Sequence, residues 1–404
     1  MNPINVFSEI GTLKKVLVHT PGKEIEYISP QRLDELLFSA ILEPNQAREE
    51  HKSFIKILES NGVEVIQLVD LILETYQHAT KEEKDKLIEQ WLSEVKPRIA
   101  TPELRAKIKK HILAQKTPRE MIMKMMSGFY AKEINVKSKH ELIVDPIPNL
   151  FFTRDPFASV GDGVTIHKMK HKTRQRETLF SKFIFDVNPK YKDVKKYTKR
   201  NGKYTIEGGD VFIYNSKTLV IGVSERTQIE VIQQIADELS SKKNTTFKNI
   251  FAVHIPHMPN LMHLDTWLTM VDYDKFIYSP NMLKELKIWE ITLGTSSKKL
   301  TKLNVKLEVM LKKIIGVKPI LIPVGGHDAN QLDIDLETHF DATNYLTISP
   351  GVVVGYNRNV KTEAALKAAG VKVLSFEGNQ LSLGMGSARC MSMPLVREDL
   401  PTKK

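Results

Sequence analysis

One supersecondary unit recurs along this chain: two β-runs joined by a tight turn, then a helix, then a third β-run. Residues 157–168 alternate around Gly161-Asp162-Gly163, which signals a hairpin. Two β-runs flank Asn215-Ser216-Lys217 over 210–223, two more flank Asp272-Tyr273-Asp274 over 266–279, and another pair flanks Ser349-Pro350-Gly351 over 346–356. A helical run follows each hairpin, and three of these reach a short apolar run of buried-strand type, at 250–255, 319–324 and 371–376. Nearer the start, residues 14–20 read as a strand closed by Pro21-Gly22. Residues 45–59 read as a helix carrying Phe54, Ile57 and Leu58 at helical spacing and ended by Asn61-Gly62, and 63–68 read as a further strand. With the first and second, less regular, units included, the pattern appears about five times. No such unit buries its own apolar face alone, so repetition argues a closed ring. Loops at one end of a ring converge on its axis, where a site drawn from distant positions can form.

One segment breaks the pattern. Residues 81–126 lack β-runs and are rich in Lys, Glu, Leu, Ile and Met, with Pro97, Pro102 and Pro118 dividing them into short helical pieces. Trp91, Leu92 and Val95 make one apolar stripe, and Met121, Ile122, Met125 and Met126 another; both read as core. The expected organisation is an α/β body, residues 1–72 and 132–404, interrupted by an all-helical insertion, 73–131.

The net charge of +11 over 404 residues raises the question of an anionic partner. The lysines are scattered and alternate with acids, and no nucleic-acid-binding signature accompanies them, so nucleic acid is not expected as a partner. The single cysteine excludes internal disulfides and Cys-rich zinc sites and suits a reducing compartment. The first residues have neither the basic start nor the apolar core of a signal peptide, and no apolar run is long enough to span a membrane. A cytoplasmic protein without membrane association is the expectation.

The chemistry-bearing residues fall where the units join. They are Asn149 to Pro156 (Asn-Leu-Phe-Phe-Thr-Arg-Asp-Pro), Glu207-Gly208-Gly209-Asp210, His263-Leu264-Asp265, Gly325-Gly326-His327-Asp328, and the run Gly384-Met385-Gly386-Ser387-Ala388-Arg389-Cys390-Met391-Ser392-Met393-Pro394. Each has an ordinary reading: Asp after Gly is commonly a turn residue, and a lone Cys is more often an inert apolar one. Small residues before a thiol nevertheless let backbone and ligand approach, and the neighbouring Arg389 favours the thiolate. Carboxylates around a thiol raise its pKa, which conflicts with nucleophilic use unless the substrate is itself a cation. A guanidinium or amidine matches carboxylates with planar N–H donors and neutralises them on arrival. The thiolate then attacks its central carbon, and a histidine protonates the departing nitrogen.

Other chemistries fit less well. The glycine run before Cys390 lacks the third Gly of a dinucleotide fingerprint and opens no helix. Neither a phosphate loop nor a His-Glu-x-x-His motif is present, and prolines interrupt His254, His257 and His263 as a helical ligand set. The order His before Cys is the reverse of a papain-like pair.

Phe-Thr-Arg-Asp-Pro-Phe, Glu-Gly-Gly-Asp, His-Leu-Asp and a C-terminal Cys-Met-Ser-Met-Pro, in this order and spacing, resemble the arginine deiminase family over the whole chain. That family belongs to the guanidino-group-modifying enzymes, whose fold is a five-bladed, pseudo-symmetric α/β propeller of ββαβ units. The resemblance implies hydrolysis of L-arginine to L-citrulline and ammonia, with no metal or organic cofactor, in a homo-oligomer, dimer or higher. By position, Cys390 resembles the nucleophile that forms an amidino–thioether. His263 resembles the general acid and base, Glu207 the partner of that histidine, and Asp155 and Asp265 the carboxylates that grip the guanidinium. Asn149, Arg174 and Arg226 resemble the groups that hold the substrate's α-carboxylate, with Arg176 a rival for Arg174, and Gly384 resembles a backbone contact to the amino-acid end. One departure is Met385, where many relatives carry an arginine in Gly-Arg-Gly-Gly-Gly. An amidinotransferase, a sibling hydrolase for agmatine or methylated arginine, or a basic nucleic-acid- or surface-binding protein are the competing readings. The last leaves the set of Cys390, His263, Glu207, Asp155 and Asp265 without a purpose.

Overall fold

The computed structural model describes residues 2–95, 101–139, 141–242, 244–258, 261–294 and 299–401. Among these, five sheets share one pairing order: an antiparallel pair whose inner strand also pairs in parallel with a third. Three of the sequence hairpins open such sheets. Phe157–Val160 and Gly163–Ile166 are joined by Lys195–Thr198; Leu268–Met270 and Lys275–Tyr278 by Ile320–Pro323; Leu346–Ser349 and Val352–Tyr356 by Lys372–Phe376. In the fourth, Val211–Asn215 and Thr218–Val223 are joined by Asn249–His254, and Lys287–Thr292 and Thr301–Leu303 extend the sheet. A short turn permits only antiparallel pairing, whereas a parallel third strand needs a crossover. Helices Glu177–Val187, Ile229–Ser241, Leu307–Ile315 and Val360–Ala368 supply those crossovers. The class is mixed α/β, and the sheets are separate ladders.

The fifth sheet has a strand that the sequence pattern did not reveal. Leu13–Val18 pairs in parallel with Glu64–Gln67 across helix Pro44–Ser60, as the N-terminal pattern implies. Its antiparallel partner is the C-terminal strand Met393–Arg397. Pro394 is compatible with this because the strand lies at the sheet edge, where a missing N–H is tolerated. Buried Arg397 fastens the end by donating to the carbonyl of Gly11 at 2.7 Å. This pairing matters for the site, since Cys390 stands three residues before that strand.

The helical segment begins earlier than expected, because Leu68 starts helix Leu68–His78 instead of ending a strand. Helices Lys81–Glu94, Pro102–Leu113 and Pro118–Ser127 follow. Pro102 and Pro118 occupy first helical positions, where no backbone N–H is missed, behind Thr101 and Thr117 side chains that cap Leu104 N and Glu120 N. Pro97 lies outside the described residues. Both apolar stripes are core: Trp91, Leu92, Val95, Met121, Ile122, Met125 and Met126 are buried, and Trp91 Nε1 donates to the carbonyl of Met125 at 3.1 Å. The Met126 carbonyl accepts from Ile147 N at 2.9 Å, which ties this block to the turn carrying Asn149. A separate apolar cluster includes Phe54, Phe151, Phe152, Tyr356 and Phe376 together with Cys390. Among the described residues no helix is long and apolar enough to cross a membrane.

Candidate active site

Three of the five junction segments line one pocket, and a fourth, Glu207-Gly208-Gly209-Asp210, stands behind its histidine. Asn149, Asp155, Arg174, His263, Gly384 and Cys390 line the pocket, with Leu37, Phe152, Met262, Thr266 and Met385 completing the wall. Its volume of about 10 Å³ leaves room for roughly one water. The remaining segment does not take part. Gly325 and Gly326 both adopt positive φ, at 79° and 87°, and turn the chain after strand Ile320–Pro323, leaving His327 and Asp328 exposed. There the turn reading holds.

The glycines of Glu207-Gly208-Gly209-Asp210 are required by close approach. A Cβ on Gly208 would lie 1.9 Å from the Arg154 carbonyl, and one on Gly209 would lie 2.6 Å from Cγ of His263. Gly209 N donates to Asp155 Oδ1 at 3.1 Å, so the same turn seats the carboxylate and the imidazole. Glu207, fully buried, sets the other side of the ring: His263 Nε2 lies 2.9 Å from its Oε2. Arg226 Nη1 donates to that oxygen at 3.1 Å, and Lys170 N donates to Oε1 at 3.0 Å. Asp210 fixes the next backbone group, accepting from Leu264 N at 2.8 Å.

These contacts set the charges. Burial would raise Glu207, but the charge of Arg226, the hydrogen bond to His263 and the charge of Arg174 hold it well below the usual carboxylate range. Burial would lower His263, yet Asp155 and the Glu207 hydrogen bond, helped by Asp210, push it up to about 9. His263 is therefore a charged proton donor at neutral pH, as expulsion of an amine leaving group requires. Its Nδ1 lies 3.9 Å from Asp155 Oδ1.

Cys390 is 4% exposed, and its backbone N donates to Asn344 Oδ1 at 3.0 Å. Its Sγ lies 3.6 Å from Asp265 Oδ2. Burial, then Asp265, Asp155 and Asp341, push the thiol well above its ordinary value, with Arg389 opposing. The resting sulfur is a thiol. Asp265 Oδ2 also accepts from Arg389 Nη1 at 2.9 Å, while its buried Oδ1 has no hydrogen-bond partner among the described residues.

The carboxylate-binding residues expected from sequence have internal partners. Arg174 Nη1 donates to Asp155 Oδ2 at 2.8 Å, and its Nε and Nη2 grip both oxygens of Glu177 at 2.9 Å. Arg226 contacts Glu207 and is not in the pocket wall, and Asn149 Nδ2 donates to the Leu36 carbonyl at 2.8 Å. Arg176 donates to the carbonyls of Asp145 and Pro146, away from the pocket. Glu9, Asn344, Asp341 and Glu177 escaped sequence reading. Only Glu177 had a signal, standing three residues after Arg174 where a helix begins. Asp155, Glu207 and His263 are also the one His/carboxylate group with metal-binding spacing among the described residues, their ligand atoms lying within 4.8 Å. Arg174 and Arg226 already engage those two carboxylates.

Comparison with known proteins agrees with this chemistry. A family model described as arginine deiminase matches residues 34–397. An arginine deiminase of Metamycoplasma arthritidis is 55% identical over 98% of this chain and 97% of its own length. One from Metamycoplasma hominis is 53% identical over 99% and 98%, and one from Treponema denticola 42% identical over 99% and 100%. Among solved structures, an amidinotransferase of saxitoxin biosynthesis from Microseira wollei aligns at a TM-score of 0.56 and 16% identity, over 98% of each chain. The N-terminal domain of a cyanobacterial arginine dihydrolase aligns at 0.56 and 14%, over 96% of this chain and 99% of the other. At such identities these two establish a shared fold alone.

Proposed function

The chain belongs to the arginine deiminase family, which hydrolyses the L-arginine guanidinium to L-citrulline and ammonia, and we propose that Cys390 is the nucleophile of that reaction here. The guanidinium enters between Asp155 and Asp265, whose free Oδ1 is a ready acceptor. Its positive charge offsets the carboxylates that keep the thiol protonated, and the sulfur ionises against it. The thiolate adds to the central carbon; His263 gives its proton to the departing nitrogen, ammonia leaves, and a covalent amidino–thioether remains. Neutral His263 then takes one proton from water, the oxygen bonds to the same carbon, and the C–S bond breaks as the remaining hydroxyl proton passes to the leaving sulfur, which releases citrulline and restores the thiol. Glu207 keeps the imidazole oriented and charged. Arg174, Asn149 and the backbone at Gly384 hold the amino-acid end, Arg174 and Asn149 after exchanging their internal partners for the substrate, while Arg226, expected from its sequence position to do the same, acts through Glu207. The observation that carries this reading is the thiol of Cys390 beside Asp265, in one pocket with Asp155 and His263, the imidazole being held from behind by Glu207.

The finer architecture follows from the same reading. The five sheets are the blades of a pseudo-symmetric propeller formed by residues 1–72 and 132–404, with 73–131 as an inserted helical domain. The repeated pairing order and crossover helices support this. We assign the enzyme to the cytoplasm, as a homo-oligomer, without a metal or organic cofactor.

Incubation with L-arginine, then with agmatine, while measuring ureido product and ammonia, tests the function. Citrulline from arginine, abolished in Cys390→Ser, is expected. Wild-type turnover in Cys390→Ser, or amidino transfer to an added amine in place of citrulline, would contradict it.

A further inference from the structure

Behind the pocket lies a second layer of charge that the reaction steps above leave unused. Arg389, 1% exposed, spends its guanidinium on three partners. Nη1 donates to Asp265 Oδ2 at 2.9 Å, Nη2 to the Val211 carbonyl at 2.9 Å, and Nη2 and Nε reach Glu9 Oε2 at 3.3 and 3.4 Å. The ring of Phe212 stacks on it, 3.7 Å from the guanidinium carbon. Glu9 is 6% exposed, and its Oε1 accepts from Ile213 N at 3.2 Å, so this carboxylate is fixed to a strand. The oxygen of Asp265 that takes Arg389 is the one 3.6 Å from Cys390 Sγ, and the other oxygen is buried without a hydrogen-bond partner among the described residues. Arg389 thereby selects which carboxylate oxygen stays free.

We propose that Glu9 and Arg389 are positioning residues for the thiol reaction. Arg389 holds Asp265 with Oδ1 open to the substrate guanidinium, and Glu9 sets how much of the Arg389 charge is felt at Cys390. The proposal rests on the nucleophile assignment above. A planar guanidinium is needed because a lysine ammonium cannot span a carboxylate on each side in one plane. The groups acting on the sulfur are Asp265, Asp155, Asp341, Tyr356 and Arg389, and His263 lines the same pocket. Behind Arg389 stand Glu9, Arg154 and Arg397. Burial would raise Glu9, but Arg389, Arg154 and Arg397 hold it below the usual carboxylate range, so it is anionic and opposes Arg389. Removing the acid or removing the base should therefore move the thiol in opposite directions. A merely structural role gives no such pair of signs.

The test is the pH dependence of Cys390 alkylation by iodoacetamide, with kcat and KM for L-arginine, in the full-length wild type, Glu9→Gln, Arg389→Gln and Arg389→Lys. Glu9→Gln should move the alkylation midpoint to lower pH and Arg389→Gln to higher pH, each by a shift worth about tenfold in rate at fixed pH. Arg389→Lys should recover the midpoint but not kcat, because the charge returns without the hold on Asp265. Midpoints that stay at the wild-type value, or move the same way in Glu9→Gln and Arg389→Gln, overturn the proposal. If Arg389→Gln does not fold, Glu9→Gln decides alone, and an unmoved or raised midpoint overturns it. Full turnover by wild-type enzyme alkylated at Cys390 would instead overturn the nucleophile assignment, a result distinct from unmoved midpoints.

Discussion

The guanidinium of Arg174 rests on the carboxylate of Asp155, 2.8 Å apart, in the pocket that holds Cys390. A guanidinium is thus already seated where the substrate's own is to bind, and arginine must displace it. Once released from Asp155, Arg174 is free to turn to the substrate's α-carboxylate. Arg174→Ala should reduce kcat/KM for L-arginine by about 10- to 100-fold, the worth of a charge-assisted hydrogen bond. For agmatine, which lacks the carboxylate, the loss should be far smaller. Equal losses on both substrates would remove the carboxylate role.

Arg226 has a different consequence from the one its sequence position implies, since its observed partner is Glu207. The folded pKa of Glu207 is depressed, so its stabilising contribution is present above the ordinary carboxylate range and is lost as pH falls through the folded value. Arg226→Gln removes the largest favourable charge on Glu207 and should raise the pH at which activity fails on the acid side. The acid limb of kcat/KM checks this; an unmoved limb with a raised KM alone would restore the simple carboxylate-binding role.

Gly209 is a steric requirement of the histidine. A Cβ there would sit 2.6 Å from the imidazole. Gly209→Ala should displace the ring and lower kcat at least tenfold with a modest stability loss. Gly208→Ala, whose Cβ meets backbone at 1.9 Å, should mainly destabilise the fold. Kinetics together with thermal denaturation separate the two outcomes.

His263 also leaves a signature in stability. Its folded pKa of about 9 is above the ordinary value of 6.5, so its contribution is full below 6.5 and is lost as pH rises through 9. Its size is on the order of 3 kcal/mol. Denaturant unfolding from pH 6 to about 10 should show this loss in wild type and a flatter profile in His263→Gln. Identical slopes would mean that the imidazole is not held charged.

Much of this arrangement was legible in the sequence because local signals coincide with it. Gly161-Asp162-Gly163 and Asn215-Ser216-Lys217 carry turn chemistry, and the flanking runs became paired strands. The thiol, imidazole and acids were found because their residue types are chemically conspicuous at unit junctions. What stayed hidden depends on long-range placement. Lys195–Thr198 is a strand whose two lysines mask its pattern, since only its second half is buried. Met393–Arg397 pairs with a strand almost the whole chain away, and Glu9 reaches Arg389 across 380 positions. Asn344, which accepts from Cys390 N, sits in a segment with no motif. His327 and Asp328 show the converse error: the right residue types, carried out to solvent by two left-handed glycines.

Thiolate absorbance reports most directly on whether the guest's positive charge creates the nucleophile. The ultraviolet difference between wild type and Cys390→Ser should be titrated with pH, alone and with saturating methylguanidinium. The thiol is expected to ionise only at strongly alkaline pH in the free enzyme and at markedly lower pH when the cation is bound. A midpoint that the cation leaves unchanged, or a free thiol already ionised at neutral pH, would contradict this.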